Sequence, residues 1–401
     1  MTPALAVAGS LLVAVPVLCF AYAYAGYPAL LWALTRGRRE DTVQYGDPAA
    51  GASGDEPASG WPSISISLPA YNEAASIAGT LDGLLALDYP ADRRQVVVVS
   101  DASTDGTDDI VRGYADRGVE LVRLDERRGK TGAEAAAIPH LTGDIVVSTD
   151  ATISIPRGSL KPLVRAFSDP TVGVASGRDV SVSSFDEESN RSESGYVGFE
   201  MWVRSLETRF GSIVGASGCF YATRRQLHRP EFPDGLSRDF ASCIIARKHG
   251  FRSVSVDEAV CYVPRAASLE AEYRRKVRTM ARGLSTLWYE RALLNPLRYG
   301  RFAWMLTSHK LIRWLVWLTW PGALVGLTVL TLTWPSLWPV TAVVLVGLAI
   351  GWIGWWMSRD GTTPALLAPA AYAVAGAVAG FSAWLRALGG RRIAFWEPTR
   401  R

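Results

Sequence analysis

The chain has 401 residues and a formal net charge of +4, with 49% hydrophobic and only 20% charged residues. That charge is too small to favour nucleic acid as a partner, and the hydrophobic share, concentrated at the two ends, is high for a soluble protein. The four cysteines form no Cys-x-x-Cys pair, so we expect packed thiols in a reducing compartment, without a disulfide framework or a zinc site.

The first predicted element is a membrane-spanning helix. Residues 4–35 contain no acidic or basic side chain, and about 20 apolar residues are enough to cross a bilayer core. Three of the next four residues are arginine, which predicts that the following domain is cytoplasmic. A cleaved signal peptide is the alternative, but it would begin with basic residues and have a shorter apolar run. We therefore expect a transmembrane helix over residues 1–36 and a flexible linker over residues 37–61.

From residue 62 the pattern changes to alternating strands and helices. Strands are predicted at residues 64–68, 95–100, 120–124 and 144–148, with helices at residues 74–87 and 106–117. This alternation predicts an α/β domain over residues 62–265, with a mostly parallel, doubly wound sheet. In such sheets ligands bind beyond the carboxyl ends of the strands.

Polar clusters follow three of these strands, at residues 69–73, 101–105 and 150–152. One carboxylate after a strand is usually a helix cap or a turn residue, but three clusters at one sheet edge favour a ligand site. Asp101 could accept hydrogen bonds from a base or a ribose, and Asp150 could reach a metal, a ribose or a diphosphate. Lys130 adds positive charge next to a glycine, without the glycine spacing of a triphosphate-binding loop.

Beyond residue 265 the chain becomes basic and then apolar again. Residues 272–283 contain five Arg or Lys side chains, and we expect basic interfacial helices over residues 266–310. A transmembrane region of about three segments is predicted over residues 311–390, with apolar runs at 314–334, 338–357 and 364–385 and many tryptophans near their ends. A buried soluble hairpin is the alternative, but three such runs are hard to enclose.

The basic tail, residues 391–401, complicates the topology. One N-terminal and three C-terminal spans would place the tail outside, whereas its arginines favour the inside. The segment with Pro364 and Pro369 is the candidate for an irregular, interfacial or re-entrant element.

Five short motifs of the α/β domain resemble those of the family-2 glycosyltransferases. They are Pro69-Ala70-Tyr71-Asn72-Glu73, Asp88-Tyr89-Pro90, Ser100-Asp101-Ala102-Ser103-Thr104-Asp105-Gly106-Thr107, Gly129-Lys130 and Thr149-Asp150-Ala151. Their order and spacing both match, and the resemblance runs over about residues 62–290. The apolar flanks and the closing Trp396-Glu397-Pro398-Thr399-Arg400 resemble the membrane-bound polysaccharide-synthase branch, near the poly-N-acetylglucosamine, hyaluronan and cellulose synthases.

The resemblance implies a GT-A fold and an inverting displacement on a UDP-sugar donor, with a glycan or lipid-linked acceptor. Inversion needs one general base to deprotonate the acceptor hydroxyl while the nucleotide leaves from the opposite face. Asp239, in Ser237-Arg238-Asp239-Phe240, matches the base of the family; the alternative is a helix N-cap at the start of a helix over residues 240–249. Arg238 stands where the family has an acidic residue, and this cation should lower the pKa of Asp239.

The resemblance also assigns the remaining site residues. The implied donor-binding residues are Pro69, Tyr71, Glu73, Asp101, Lys130, Asp150 and Arg278. The implied acceptor-side residues are Gly218, Cys219, Arg275 and Arg282. For Gly218 and Cys219 the alternative is a tight turn before a strand. For the basic run around Arg278 the alternative is a helix lying on anionic lipid headgroups.

Two departures from the family pattern concern the metal and the product. The usual Asp-x-Asp motif has Thr152 in its third position, so we expect Mg²⁺ or Mn²⁺ on Asp150 together with donor phosphates and water. Arg275 and Thr279 replace the Gln and Trp of a Gln-x-x-Arg-Trp motif, which weakens the case for a processive polymer synthase. The alternatives are single-sugar transfer to a polyprenyl phosphate and a non-catalytic assembly subunit with a degenerate site. We expect a multi-pass protein of the cell membrane, with a cytoplasmic catalytic domain and unknown export or assembly subunits.

Overall fold

The computed structural model describes residues 3–37, 60–182, 195–228, 232–264, 268–358, 364 and 366–390. The chain divides into two compact units. The α/β unit is formed by the described residues of Leu31–Arg265, and the helical unit by those of Met1–Leu30 and Ala266–Ile393. Most of the expected linker, from residue 38 to residue 59, and the basic tail lie outside the described residues.

The strands are β1 Ile64–Ala70, β2 Arg94–Ser100, β3 Val119–Arg123, β4 Ile145–Thr149, β5 Val172–Val182, β6 Phe220–Arg224 and β7 Arg252–Pro264. The helices are α1 Pro3–Ala21, α2 Tyr27–Thr35, α3 Ile77–Leu85, α4 Thr107–Arg112, α5 Gly129–Ala137, α6 Leu160–Arg165, α7 Gly195–Phe210, α8 Arg238–Lys248, α9 Leu269–Tyr289, α10 Pro296–Leu306, α11 Arg313–Thr333, α12 Trp338–Met357 and α13 Ala368–Leu388. The π-helical segment Tyr22–Gly26 lies between α1 and α2, and the π-helical segment Thr307–Ile312 lies between α10 and α11.

The strands of the α/β unit form one mixed, mostly parallel sheet in the order β3-β2-β1-β4-β6-β5-β7. Strands β1 to β4 are parallel, β6 is antiparallel to both β4 and β5, and β7 is parallel to β5. Every residue of β1 is buried, as expected for a strand covered on both faces of the sheet. The predicted α/β fold class is therefore confirmed, and the carboxyl ends of β1, β2 and β4 lie side by side.

In the described part of the chain, four helices are long and apolar enough to cross a membrane. They are Pro3–Thr35, Pro296–Thr333, Pro335–Met357 and Ala368–Leu388. The segment expected to be irregular contains a regular helix, α13. Pro369 lies in its first turn, where a missing backbone N–H breaks no intrahelical hydrogen bond.

Small residues bring these helices close together. A Cβ atom added to Gly326 of α11 would lie 2.7 Å from the carbonyl oxygen of Gly9 in α1. A Cβ atom on Gly351 of α12 would meet the carbonyl oxygen of Ala370 in α13 at the same distance, 2.7 Å. Close backbone approach at small residues is typical of helices packed in a membrane, where dispersion contacts replace the hydrophobic effect.

Candidate functional site

One pocket lies at the carboxyl edge of β1, β2 and β4. It is lined by Pro69, Ala70, Tyr71, Asp101, Lys130, Ala133 and Asp150. Five of these seven residues are among those that the sequence predicts to bind a donor, and the sheet order explains why they meet. Their role in donor binding stays a prediction, but their proximity is a property of the fold.

The backbone is strained at two of the strand ends that form this edge. Asn72 and Ala102 have φ values of 53° and 58°, and they are the two non-glycine residues with positive φ in the described part of the chain. The Asn72 side chain accepts a hydrogen bond of 2.8 Å from the Thr104 N–H, and its own N–H donates to Ser103 Oγ at 3.1 Å. These contacts tie the two loops together, and such strain concentrates at functional sites.

Glu73 takes part in the same loop contacts rather than in the pocket lining. Its backbone N–H donates to Thr107 Oγ1 at 2.9 Å, and its carboxylate accepts a hydrogen bond of 2.8 Å from Ser76 Oγ at the start of α3. Because the carboxylate is buried, these contacts hold the strand-end loop in place. The predicted role of Glu73 in donor binding stays a prediction.

Asp101 fixes the beginning of α5. One carboxylate oxygen accepts from the Arg128 N–H at 2.6 Å and the other from the Gly129 N–H at 2.8 Å. These amides belong to the first turn of a helix, where N–H groups lack intrahelical partners and a negative charge is favourable. A carboxylate has about four lone-pair positions, so both oxygens can still accept from a ligand.

Lys130 joins three chain segments at the centre of the pocket. Its Nζ donates to Asp150 Oδ1 at 2.5 Å and to the Gly218 carbonyl oxygen at 2.7 Å. Burial lowers the pKa of Lys130, but the carboxylates of Asp150 and Glu134 raise this pKa by more, so the net shift is upward. The ammonium group is therefore charged at neutral pH, and it can stabilise negative charge on a leaving diphosphate.

Asp239 lies in the first turn of α8, close to the glycine-rich segment. The helix begins at Arg238, and Ser237 takes the N-cap position, so the N-cap alternative for Asp239 is wrong. Ser237 Oγ donates to Asp239 Oδ1 at 2.6 Å. A Cβ atom on Gly218 would lie 2.9 Å from Asp239 Oδ2, so an alanine there would require this carboxylate to move. The carboxylate therefore borders the segment whose carbonyl binds Lys130.

Arg238 has a partner that the sequence interpretation missed. Its Nε lies 3.6 Å from Glu134 Oε2, and both side chains are buried. Glu134 follows Lys130 by four residues on α5, so helical spacing alone could have placed it on the same face. It was missed because it lies between alanines, in a stretch without any family motif.

The acceptor-side segment forms a tight connection before β6. Cys219 N–H donates to Ser217 Oγ at 3.1 Å, and Ser217 Oγ donates to Asp179 Oδ1 at 2.5 Å. Burial raises the pKa of Asp179, although Arg204 opposes this shift. The segment is thus a tight turn before a strand. The predicted contacts of Gly218 and Cys219 with an acceptor stay predictions.

The predicted basic residues Arg275, Arg278 and Arg282 all lie on α9, in the helical unit. Arg275 pairs with Glu272, with a distance of 2.9 Å between Nε and Oε2. The helix begins at an N-cap, Ser268, whose side chain accepts from the Ala271 N–H at 3.1 Å. Contacts of these arginines with a diphosphate or an acceptor stay predictions.

The residues of the pocket fit only one kind of metal site. In the described ranges no group of three or more His, Cys, Asp or Glu side chains is placed to hold a metal ion. Asp150 offers one carboxylate, and Thr152 stands where a second would be. Because Mg²⁺ is often bound by one or two carboxylates plus substrate phosphates and water, these residues fit an ion that binds together with a diphosphate.

Comparisons with known proteins agree with this geometry. The model of the family described as glycosyl transferase family 2 matches residues 65–231. An N-acetylglucosaminyltransferase of Mesorhizobium japonicum is 30% identical over 256 residues, covering 58% of this chain and 57% of that protein. An N-acetylglucosaminyltransferase of Rhizobium sp. (strain N33) is 28% identical, covering 50% of this chain and 48% of that protein. The chain thus spans about half the length of the curated relatives it matches.

A solved structure extends the likeness to nearly the whole chain. The mannosyltransferase PcManGT from Pyrobaculum calidifontis, in complex with GDP-Man and Mn²⁺, superimposes with a TM-score of 0.67. The match covers 95% of this chain and 100% of that one, at 24% sequence identity. At this level of identity the match shows a shared fold.

Proposed function

We propose, from the premise that this chain contains a glycosyltransferase family 2 domain with a GT-A-like fold, that it catalyses inverting transfer from a UDP-sugar. The acceptor is a glycan or a lipid-linked sugar at the membrane, in the synthesis of a cell-surface polysaccharide. The observation that carries the proposal is the cluster of Asp101, Lys130 and Asp150 at the carboxyl edge of the sheet, with Asp239 beside Gly218.

In this mechanism Asp239 is the general base. Its carboxylate accepts the proton of the acceptor hydroxyl as that oxygen attacks the anomeric carbon, and the bond from this carbon to the diphosphate oxygen breaks on the opposite face. The products are an inverted glycoside, a nucleoside diphosphate and protonated Asp239, which later returns its proton to solvent. Lys130 is charged and already oriented in the pocket, so it stabilises the leaving diphosphate without reorganisation.

Asp150 would hold Mg²⁺ or Mn²⁺ in this site, with donor phosphates as further ligands. Such an ion, when bound, supplies positive charge to the diphosphate. The support is the position of Asp150 in the pocket and the hard oxygen chemistry of its carboxylate. Mn²⁺ in the complex of PcManGT is a further reason to test that ion first.

UDP-N-acetylglucosamine is the first donor to test, because the sequence relatives are named N-acetylglucosaminyltransferases. GDP-mannose is the comparison donor, since PcManGT was solved with GDP-Man. The preference of the enzyme for one donor depends on its contacts to the nucleobase and to the sugar.

Single-sugar transfer to a polyprenyl phosphate is the second candidate. Thr279 favours it, because this position of α9 lacks the indole on which a processive synthase would stack its polymer. The two products differ in size: a polymer runs as a high-mass series, and a monoglycosylated carrier lipid is a single chloroform-soluble species.

A donor screen tests the proposal. Purified full-length protein in detergent is supplied with UDP-N-acetylglucosamine, UDP-glucose or GDP-mannose, with and without Mn²⁺, and with host lipid extract or undecaprenyl phosphate as acceptor. We expect nucleotide release that depends on a UDP-sugar and on acceptor, and the product is sized in the same reaction. Absence of release with every donor and acceptor would favour a non-catalytic assembly subunit.

A further inference from the structure

The helix α13 runs beside α9 in the helical unit. The two helices share a hydrophobic cluster, in which Leu269 of α9 packs with Ala371 and Ala375 of α13. Further along, Tyr273 Oη of α9 lies 3.2 Å from Ser382 Oγ of α13. These contacts extend over about three turns of α13.

The charges of α9 keep it out of the hydrocarbon core of a bilayer. Its 21 residues include two Glu and five Arg or Lys side chains, and one such charge at the centre of a spanning helix costs about 3 kcal/mol. One of these charges faces α13, because a Cβ atom added to Gly376, in the middle of α13, would lie 3.6 Å from Lys276 Nζ. Since α13 runs beside α9, the two helices lie at a similar depth.

The two halves of α13 contact the ends of two different helices. In its first half, Ala371 Cβ would lie 3.1 Å from a Cβ atom added to Gly354 of α12. In its second half, Trp384 Nε1 donates a hydrogen bond of 2.7 Å to the carbonyl oxygen of Trp314 in α11. Gly354 belongs to the last turn of α12 and Trp314 to the first turn of α11. The helix α13 therefore bridges the end of α12 and the beginning of α11.

These two helix ends lie on the same side of a membrane if α11 and α12 both cross it. A short turn that includes Pro335–Leu337 joins the two helices. On either side of this turn, Thr331 Oγ1 of α11 lies 2.5 Å from Thr341 Oγ1 of α12, so the helices form a hairpin. Charged residues mark the open end of the hairpin, since Arg313 begins α11 and Arg359 follows α12.

A helix that crossed the membrane from the end of α12 would run back towards the closed end of this hairpin. Its second half would then contact the first half of α12 or the second half of α11. In α13 the second half contacts Trp314 instead, and a Cβ atom on Gly380 would lie 2.5 Å from Trp317, also near the beginning of α11. The first half of α12 is exposed at Val340 and Val343. These contacts keep α13 at the open end of the hairpin.

We propose that α13 lies along the surface of the bilayer, at the open end of the hairpin, and does not cross the membrane. Its partner is the lipid at the boundary between headgroups and acyl chains, which suits exposed side chains such as Tyr372 and Leu385. The inference does not depend on the reaction that the α/β unit catalyses.

This placement decides the side on which the chain ends. In the described part of the chain it leaves three crossing helices, Pro3–Thr35, Pro296–Thr333 and Pro335–Met357. The first leads to the α/β unit, the second leaves that side of the membrane, and the third returns to it. The basic tail, residues 391–401, then lies on the same side as the α/β unit. This removes the conflict between four spans and the arginines of the tail.

Depth measurements on two matched pairs of nitroxide-labelled cysteines test this placement. Ala377→Cys lies in the middle of α13 and Leu388→Cys at its end, and Leu345→Cys and Trp356→Cys have the same spacing on α12. Full-length protein is reconstituted in liposomes of phosphatidylethanolamine and phosphatidylglycerol. Collision of each label with oxygen and with a nickel chelate gives its depth, and wild-type protein provides the background from the native cysteines.

We expect Leu345→Cys to lie deeper than Trp356→Cys by about 10 Å, because α12 crosses the hydrocarbon core. The depth of Ala377→Cys should match that of Leu388→Cys within about 5 Å, because an interfacial helix keeps all its residues near the headgroups. An Ala377→Cys label as deep as that of Leu345→Cys would overturn the inference. Equal depths of the two labels on α12 would also overturn it, since the hairpin would then not cross the membrane.

Cysteine labelling of the tail gives an independent test. A single cysteine is added after Arg401 on a short Gly-Ser linker, and its reaction with an impermeant maleimide is measured in intact and in permeabilised cells. We expect it to react under the same conditions as Asp92→Cys, on the surface of the α/β unit. Reaction in the pattern of Ser336→Cys, in the turn between α11 and α12, would overturn the inference whichever way the protein is oriented.

Discussion

Lys130 shows how a single side chain organises the pocket. Its ammonium group binds both Asp150 and the carbonyl oxygen of Gly218, which follows the lysine by 88 residues, and it lines the pocket. The sequence predicted this lysine from a Gly-Lys motif, but not its bond to Gly218, because a hydrogen bond to a backbone carbonyl leaves no pattern in the sequence. The same holds for Glu134, which only the fold brings next to Arg238.

Removing the charge of Lys130 should weaken donor binding. For Lys130→Met we expect the affinity for UDP to fall by about tenfold or more, because a charge-assisted hydrogen bond is lost and Asp150 is left without its counter-ion. Calorimetric titration with UDP measures this change. Lys161→Met is the matched control, since Lys161 forms a comparable pair with Asp88, at 2.8 Å, outside the pocket lining. Equal UDP affinity in Lys130→Met and the wild type would show that the lysine does not meet the diphosphate.

A methyl group on Gly218 should displace the proposed base. The added Cβ would lie 2.9 Å from Asp239 Oδ2, so the carboxylate must move. We expect Gly218→Ala to reduce kcat by about 100-fold, since small misplacements of a catalytic group are costly, while UDP still binds. Gly79→Ala is the control, because nothing lies within 4 Å of its added Cβ. A Gly218→Ala enzyme with normal kcat would mean that Asp239 does not act from this position.

At the scale of elements, the prediction succeeded where strands are continuous apolar runs. The first four strands were placed within two residues because β1, β2 and β4 are buried on both faces. Strand β5 was not predicted, since Gly173 and Gly177 interrupt its pattern. Added Cβ atoms at these glycines would lie 2.6 Å from Phe251 and Phe220, so packing against the aromatic rings requires glycine there. The predicted helix over residues 106–117 ends early, at Arg112, and continues as a 3-10 turn.

His228, a buried histidine that follows the 3-10 turn after β6, should make the α/β unit sensitive to acid. Burial lowers the pKa of His228 from 6.5 to about 3. Because the unfolded chain then binds more protons between these two values, His228 contributes stability above pH 6.5 that is lost as the pH falls towards 3, with a slope of about 1.4 kcal/mol per pH unit.

Thermal melting of the full chain in detergent between pH 7.5 and pH 5 measures this effect. We expect the melting temperature of the wild type to fall with pH, and the decrease to be smaller in His228→Gln. His249→Gln is the control, since His249 is exposed at the end of α8. If the melting temperature of His228→Gln falls with pH as steeply as that of the wild type, groups other than His228 cause the loss of stability in acid.

At the scale of the whole molecule, the apolar segments and their approximate limits could be predicted from the sequence. Length and hydropathy are local properties, so four candidate spans could be read directly from the chain. The glycine contacts between α1 and α11, and between α12 and α13, depend on which helices become neighbours in the fold, so the sequence did not predict them. The side of the membrane that faces the α/β unit rests on the arginines after the first span, and it stays a proposal.

Cysteine labelling tests this sidedness. With a cytoplasmic α/β unit, Ser336→Cys, between α11 and α12, should react with an impermeant maleimide in intact cells. Asp92→Cys, on the exposed surface of the α/β unit, should react only after permeabilisation. The reverse pattern would invert the proposed orientation, and the wild-type chain provides the background from its own cysteines.

Sugar transfer with Asp239 as the proposed base is tested most directly by one comparison. UDP release from UDP-N-acetylglucosamine is measured for the wild type, for Asp239→Asn and for Asp92→Asn, an exposed aspartate at the opposite edge of the sheet. We predict that Asp239→Asn lowers release by about 100-fold or more while UDP binding and melting temperature are kept, and that Asp92→Asn behaves as the wild type. Wild-type release by a folded Asp239→Asn protein would contradict the account.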